Sequence, residues 1–177
     1  MSTNAPGEQP APDANPFSID LERLTTPEIV LLSEVFSDRG VLGDRKSYPN
    51  INAWGHIDDR THELAERDPA RGRAIYEAYS QSERDDDRSW FLDTLLRRYV
   101  ALDPEAGAFD LWGRLVTDPA DHVRRKARQE LVDAFSDDEG VTTDRLAEVG
   151  LTLHDAGRLL ITIVQHEEQL RQEQDQA

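Results

Sequence analysis

The sequence predicts an all-α protein made of stacked antiparallel helical hairpins, a short α-solenoid with a C-terminal capping helix. Apolar residues recur at helical spacing along most of the chain. No stretch between turn signals shows sustained strand alternation, and a unit of helix, short turn and helix occurs twice. Two-helix units that repeat at a fixed period are typical of helical repeat proteins.

Composition restricts the classes of function. The 177 residues include 20 Lys and Arg against 36 Asp and Glu, a formal net charge of −16 at pH 7, and no cysteine. This charge repels nucleic acid and anionic membranes, and the lack of cysteine excludes disulfides and thiolate zinc sites. Because no apolar run reaches the roughly 18 residues of a membrane helix and no signal-peptide pattern opens the chain, we expect a cytoplasmic protein without membrane contact.

The folded part is expected between two tails. Residues 1–17 contain four prolines and almost no apolar side chains, so they are predicted to be disordered. A single α-helical repeat domain is predicted over 18–170, followed by a frayed tail over 171–177.

Two helices are predicted before the repeat. Thr25 and Glu28 have the spacing of a capping box at the start of the first helix, and Pro27 fits its first turn. Residues 37–50 carry two glycines and a proline and predict a loop. A second helix is expected over about 53–66.

The two repeated units both open with Asp-Pro-x-x-Gly, at Asp68 and at Asp103, which are 103 − 68 = 35 residues apart. After a one-residue slip the register becomes 36 and aligns Arg88 with Arg124. Each unit is predicted to form a helix, a short turn and a second helix. The second helix of the first unit, over 86–101, is apolar on most of its circumference and is expected to be buried.

The stretch "LVTDPADHVRRKARQEL" resembles the turn and second helix of a HEAT-type repeat (armadillo/HEAT class). The clear repeat covers about 103–135, and a weaker one covers about 68–99. The residues that carry the resemblance are Asp118, Pro119, Val123, Arg124, Ala127 and Leu131. The weaker unit has Ser82 at the turn and Asp87 where the family pattern has valine.

The resemblance also implies a structural role for two arginines. In HEAT-like repeats, an arginine at the place of Arg124 packs along the seam between helices and bonds to turn aspartates. It therefore implies a ladder of Arg88, Arg124 and Asp118, with Asp121 as an alternative acceptor, held by bidentate hydrogen bonds.

The basic cluster of the second unit divides on a helical projection of residues 119–135. One stripe is predicted to be buried: Val123, Ala127, Leu131 and Ala134. Arg128 borders that stripe beside Arg124, whereas Arg125 and Lys126 point towards solvent. Arg125, Lys126 and Arg128 are therefore the candidate partner-binding surface, diluted by acidic neighbours.

The segment 142–160 has two interpretations. Its "LAEVGLT" resembles part of a helix-turn-helix, but Ala147 and Gly150 are one residue too close for that motif, and the would-be recognition helix carries early on only His154 and Arg158 as cations for phosphate. Alternatively, Thr152 caps a long helix whose wide apolar surface seals the end of the stack or pairs with a second copy.

The candidates for chemistry are few. In "HIDDRTHE" (56–63), Asp58 with His62 and Asp59 with Glu63 have the i, i+4 spacing at which ligands converge on a cation, but an exposed polar helix face gives the same composition. No nucleophile–base motif or phosphate-binding loop is present in the sequence. We assign no catalytic, cofactor-binding or metal residue, and we expect neither an enzyme nor a cofactor.

These observations predict a non-catalytic protein–protein interaction or adaptor module. It would present an acidic helical surface to a protein partner, preferentially a basic one. Two alternatives remain open: a nucleic-acid-linked regulator that uses 142–160, and an acidic inhibitor that mimics DNA. Oligomerisation through the C-terminal helix is also left open.

Overall fold

The structure is a computed structural model, and it describes residues 20–36, 52–137, 140–141 and 143–177. These residues are almost entirely helical, which confirms the all-α prediction. The exception is a short antiparallel ladder in which Ser136 pairs with Val141 and Asp137 with Gly140. None of the helices in the described ranges is both long enough and apolar enough to span a membrane. The predictions of a disordered tail and a loop before residue 51 lie outside the described residues.

The helices follow one another through the described residues. In chain order they are α1 (Thr26–Phe36), α2 (Asn52–Arg67), α3 (Pro69–Ser80), α4 (Asp85–Trp90), α5 (Leu96–Leu102), α6 (Phe109–Leu115), α7 (Asp121–Phe135), α8 (Thr143–Glu148) and α9 (Leu153–Asp175). A 3-10 turn, Leu21–Arg23, precedes α1, and a π-helical turn, Phe91–Leu95, joins α4 to α5.

The chain divides into two compact units, residues 1–64 and 65–177. The single repeat domain that the sequence predicts over 18–170 stays a prediction. In the first unit the predicted capping box is present: the amide of Thr25 donates to Oε2 of Glu28 at 2.7 Å, and the amide of Glu28 donates to Oγ1 of Thr25 at 3.4 Å.

The second unit contains two groups of packed helices, which we call the first and the second pair. The first pair is α3 with α4, the π-helical turn and α5, and the second is α6 with α7; α4 packs against α7. The helices α4 and α7 begin at Asp85 and Asp121, which are 121 − 85 = 36 residues apart. The second helices therefore keep the register that the sequence predicts.

The two Asp-Pro-x-x-Gly motifs have different backbone geometry. Asp68 caps α3 directly, because its Oδ1 accepts the amide of Arg71 at 3.2 Å. After Asp103 the chain instead makes a turn, Gly107 adopts a left-handed φ of 65°, and α6 begins only at Phe109. The expectation that both motifs open the first helix of a unit is therefore wrong for the second unit, because a left-handed residue cannot continue a helix.

The core of the second unit is formed by the faces that the helical pattern predicted. The stripe of α7 is fully buried: Val123, Ala127, Leu131 and Ala134. The aromatic residues of the first pair are packed edge to face, with ring centroids 5.2 Å apart for Tyr79 and Trp90 and 5.9 Å apart for Phe91 and Tyr99. This packing fits the interpretation that they are core residues and not ligands.

Helix α9 packs against α6, α7 and α8. It begins with the predicted capping box, in which the amide of Thr152 donates to Asp155 Oδ2 at 3.1 Å and the amide of Asp155 donates to Thr152 Oγ1 at 3.1 Å. The helix continues to Asp175, whereas the sequence predicted a frayed tail from residue 171. Gln, Glu and Arg are good helix formers, so the last turns need no tertiary contact to remain helical.

Candidate interaction surfaces

The predicted ladder residues Arg88 and Asp118 lie together. Arg88 donates from Nε to Oδ2 of Asp118 at 2.7 Å and from Nη2 to Oδ1 at 2.9 Å. Its Nη1 donates to the carbonyl of Ser82 at 2.8 Å. Hydrogen bonding to Asp118 raises the pKa of Arg88 above its ordinary value, against the effect of burial. This guanidinium therefore connects the turn of one helix pair to the turn of the next.

Arg124 repeats half of this arrangement. Its Nη1 donates to the carbonyl of Asp118 at 2.8 Å, as Arg88 does to Ser82, and in both cases the acceptor lies six residues earlier in the chain. Its Nη2 donates to Oδ1 of Asp121 at 2.8 Å. Each arginine therefore donates a hydrogen bond to a carbonyl in the turn before its own helix. Of the two, only Arg88 also bonds to the carboxylate of Asp118.

The three residues of the predicted basic surface have separate partners. Arg125, whose side chain is 75% exposed, pairs with Asp121 on its own helix. Lys126 donates to Asp93 Oδ2 at 2.6 Å and to Ser89 Oγ at 2.8 Å. The chain itself thus supplies an acceptor for each of these cations, as it also does for Arg128.

Arg128 connects α7 to α9. Its Nε donates to the carbonyl of Val116 at 3.1 Å, its Nη1 pairs with Glu167, and its Nη2 lies 3.3 Å from Nδ1 of His166. The hydrogen bond from Arg128 lowers the pKa of Glu167 below its ordinary value. Glu167, which interrupts the apolar pattern of α9 in the sequence, is therefore part of the seam with α7.

The apolar residues of α9 divide between two faces. Ala156 and Leu159 are buried against the neighbouring helices. A neighbouring face exposes four apolar residues, with 49%, 41%, 59% and 65% of their surface accessible respectively: Leu153, Leu160, Ile161 and Val164. We call these four residues the outer stripe. Exposed apolar residues that gather on one helix face are typical of interaction sites.

Gly150 joins the start of α6 to the turn before α9. The amide of Ala108 donates to the carbonyl of Gly150 at 2.9 Å, and Gly150 has a left-handed φ of 77°. A Cβ at Gly150 would lie 2.8 Å from Cβ of Ala108 and 3.0 Å from Cγ2 of Val100. The indole of Trp112, fully buried, donates to the carbonyl of Val149 at 2.8 Å. This junction fixes the position at which α9 leaves the turn.

Within residues 143–160, α8 and the first turns of α9 flank Gly150. The cations here are Arg145, which donates to the carbonyl of Asp133 at 3.4 Å, and the two that the sequence offered in the second helix, His154 and Arg158. The guanidinium of Arg158 lies 4.2 Å above the ring of Phe109, and Asp155 occupies the first turn of α9. DNA binding by this segment stays a prediction without a supporting contact.

Two clusters of possible metal ligands are visible in the described residues. In α2, Nε2 of His62 lies 3.1 Å from Oδ2 of Asp58, the i, i+4 pair that the sequence suggested. In the second unit, Asp85, Asp86 and His122 offer ligand atoms within 4.8 Å of one another. All three are exposed, and exposed acidic groups are common without an ion.

The contacts of Arg73 could not be predicted from the sequence. Arg73 donates to the carbonyls of Tyr99, Asp103 and Gly107 at 3.0, 3.3 and 3.3 Å and lies 4.0 Å above the ring of Tyr99. Burial raises the pKa of the Tyr99 phenol, an effect that the charge of Arg73 opposes. The acceptors are 26 to 34 residues away, so no local pattern announces them.

Asp87 is also unexpected, because it stands where the resembled pattern has valine and is nevertheless buried. Its Oδ2 accepts the hydroxyl of Ser82 at 2.6 Å, while Oδ1 has no hydrogen-bond partner among the described residues.

Comparison with protein-family models, with curated proteins and with solved structures finds no match to this chain.

Proposed function

We propose that this chain is a non-catalytic protein–protein interaction module and that the outer stripe of α9 binds a helix of the partner. The observation that carries the proposal is the exposure of four large apolar side chains on a helix whose other face is already buried. From Leu153 to Val164 the stripe extends roughly 16 Å along the helix, or about three turns. That length suits a short amphipathic helix, which anchors through residues at i, i+3, i+4 and i+7.

The charge of the chain indicates the kind of partner. A formal net charge of −16 opposes association with a second copy and favours a partner that is basic around its apolar face. We therefore propose a basic protein partner rather than a homodimer.

The HEAT-like α-solenoid remains part of this proposal. It is supported by the spacing of 36 residues between the starts of α4 and α7 and by the hydrogen bonds of Arg88 and Arg124 to their turns. In such folds, neighbouring helix pairs present an extended surface to proteins.

The double substitution Ile161→Ser, Val164→Ser tests the outer stripe. Both side chains are more than half exposed, so the variant should keep its far-UV circular dichroism and its thermal midpoint. Affinity capture from the native lysate should recover a protein with the wild-type chain and with the control variant Arg125→Ala, and should lose it with the double variant.

If the wild-type chain and the double variant retained the same proteins, the outer stripe would not be the binding surface. Sedimentation equilibrium of the wild-type chain tests the homodimer. If the wild-type chain is a dimer at micromolar concentration and the double variant is not, the outer stripe binds a second copy of this chain and not a basic partner.

A further inference from the structure

A second surface of the chain surrounds the loop before α6. Three adjacent cavities, of about 470, 320 and 370 Å³, follow this loop from α8 past the turn at Gly150 to α3. The first two share Pro104 and Ala147 in their lining, and the second and third share Ala106 through Phe109. We call this continuous depression the loop groove.

The floor of the loop groove is apolar where it is widest. The cavity between α5 and α8 is lined by Val100, Ala101, Pro104 and Ala147. Three of these are small or rigid side chains, so the floor is shallow and accommodates short apolar side chains of a ligand.

Four carboxylates of the loop groove have no partner in the described part of the chain, whereas Glu77 and Asp155, which also line it, are paired with Arg114 and with the amide of Thr152. The four are exposed and line the cavities: Glu105, Asp110, Asp144 and Glu148. Among the residues that the structure describes, none of the four makes a side-chain hydrogen bond or an ion pair.

The arginines of the groove are, in contrast, already engaged. Arg97 pairs with Glu130 at 3.7 Å, Arg158 lies over the ring of Phe109, and Arg73 donates to three carbonyls. These contacts do not remove the charge of an arginine, but the lining carries six carboxylates against these three arginines, so its net charge is negative above an apolar floor.

We propose that the loop groove binds an extended segment of a partner protein in which arginine or lysine alternates with small apolar residues. The cations meet the four carboxylates, and the apolar side chains between them occupy the floor. A second copy of this acidic chain lacks the required charge. The proposal does not depend on the outer stripe, because the groove is formed by other residues.

The test uses the full chain and a fluorescein-labelled peptide, Arg-Ala-Arg-Leu-Arg-Ala-Arg, with fluorescence anisotropy as the readout at about 0.1 M salt. The groove variant carries Glu105→Gln, Asp110→Asn, Asp144→Asn and Glu148→Gln. The matched control carries Glu66→Gln, Glu83→Gln, Glu173→Gln and Asp175→Asn, which changes the net charge equally at exposed positions outside the groove.

We expect the groove variant to weaken peptide binding at least roughly tenfold and the control to weaken it less than roughly threefold, since exposed charges that do not face the ligand act only through the screened net field. Equal losses in the two variants would overturn the proposal and reduce the binding to general attraction by a polyanion.

Two further measurements separate the apolar floor from charge alone. Ala147→Gln places a longer, uncharged polar side chain over the exposed part of the floor and should weaken peptide binding with unchanged circular dichroism, and undiminished binding would mean that the floor takes no part. Spermine, a polycation without apolar side chains, should displace the peptide only at much higher concentration than unlabelled peptide does. Displacement by spermine and by unlabelled peptide at similar concentrations would contradict the protein partner and assign the groove to small polyamines.

The outer-stripe variant distinguishes this proposal from the proposed function. Ile161→Ser, Val164→Ser should leave peptide binding unchanged. If the peptide does not bind while the outer stripe still captures a partner, the groove proposal is overturned. The proposed function of the outer stripe then still stands.

Discussion

At the residue scale, the most informative contact joins two turns through one side chain. Asp118 is 4% exposed and accepts two hydrogen bonds from Arg88 as well as the amide of Ala120 at 2.9 Å. We predict that Asp118→Asn lowers the free energy of unfolding by about 3 kcal/mol, because it removes the carboxylate that accepts two hydrogen bonds from the part-buried guanidinium of Arg88.

Urea denaturation at pH 7 measures this loss. The control is Asp121→Asn, whose carboxylate pairs at the surface and whose loss should cost less than about 1 kcal/mol. Equal losses in the two variants would show that the buried position adds nothing to the pair.

The stripe of α7 gives a second prediction at this scale. Leu131→Ala should destabilise the protein by about 2–5 kcal/mol, because Leu131 is fully buried and its truncation leaves a cavity. Arg125→Ala should change stability by less than about 0.5 kcal/mol, since its side chain is exposed. Thermal melts of the two variants check the ranking, and the reverse order would contradict the helical register of α7.

Glu167 supplies a prediction on pH. Its pKa is lowered in the folded chain by the hydrogen bond from Arg128, so its contribution to stability is present above the ordinary glutamate pKa and is lost as the pH falls through the lowered folded value. The difference in stability between the wild-type chain and Glu167→Gln should therefore shrink as the pH falls from 7 to about 3, as measured by urea denaturation.

His166 also contacts Arg128, since its Nδ1 lies 3.3 Å from Nη2 of that arginine. The same pair of proteins in a His166→Gln background removes the histidine, and the difference should still shrink below the ordinary glutamate pKa. A difference that does not change with pH in this background would mean that the ion pair contributes nothing.

At the element scale, two glycines near α9 make a matched pair. Gly150→Ala should destabilise by roughly 1–3 kcal/mol, because a side chain at φ 77° is strained and its Cβ would lie 2.8 Å from Cβ of Ala108. Gly157→Ala should instead stabilise by up to about 1 kcal/mol, since it lies inside α9 with open space around the position of a Cβ.

Thermal denaturation followed by circular dichroism measures both changes. A neutral effect of Gly150→Ala would mean that the turn before α9 can adopt another conformation.

The sequence predicted those elements whose causes are local. Capping boxes at Thr25 and Thr152 and the buried stripe of α7 follow from spacings of three and four residues. The left-handed conformation of Gly107, in contrast, lies beside the hydrogen bond from Ala108 to Gly150, which is 150 − 108 = 42 residues later. No local pattern indicates this contact, so the different starts of the two Asp-Pro-x-x-Gly motifs were not predicted.

The candidate surfaces were predictable to different degrees. The sequence indicated that α9 has a wide apolar surface, but not which of its apolar residues are buried and which are exposed. Ala156 and Leu159 are buried and Leu160 is not, because of the positions at which α6 and α7 pack against the helix. The loop groove has no sequence signal, because the four carboxylates assigned to the ligand come from three separate elements and are free only once the arginines have found other partners.

At the scale of the whole molecule, the charge of −16 acts on stability. We predict that the free energy of unfolding rises as NaCl is increased from about 10 mM to 150 mM, because salt screens the repulsion within the compact state. Urea denaturation, with an uncharged denaturant, measures the change.

The variant carrying Glu66→Gln, Glu83→Gln, Glu173→Gln and Asp175→Asn should show a smaller rise, since it has four fewer negative charges. Stability that fell with added salt would mean that ion pairs outweigh the net repulsion.

The hydrogen bond from Trp112 to Val149 has a consequence for biosynthesis. Its two residues are 37 positions apart. At a synthesis rate of about 5–20 residues per second, roughly 2 to 7 seconds pass between their addition to the nascent chain. During that interval α6 lacks the turn that covers its indole, so the growing polypeptide presents an uncovered tryptophan to chaperones and proteases until the segment before α9 has emerged.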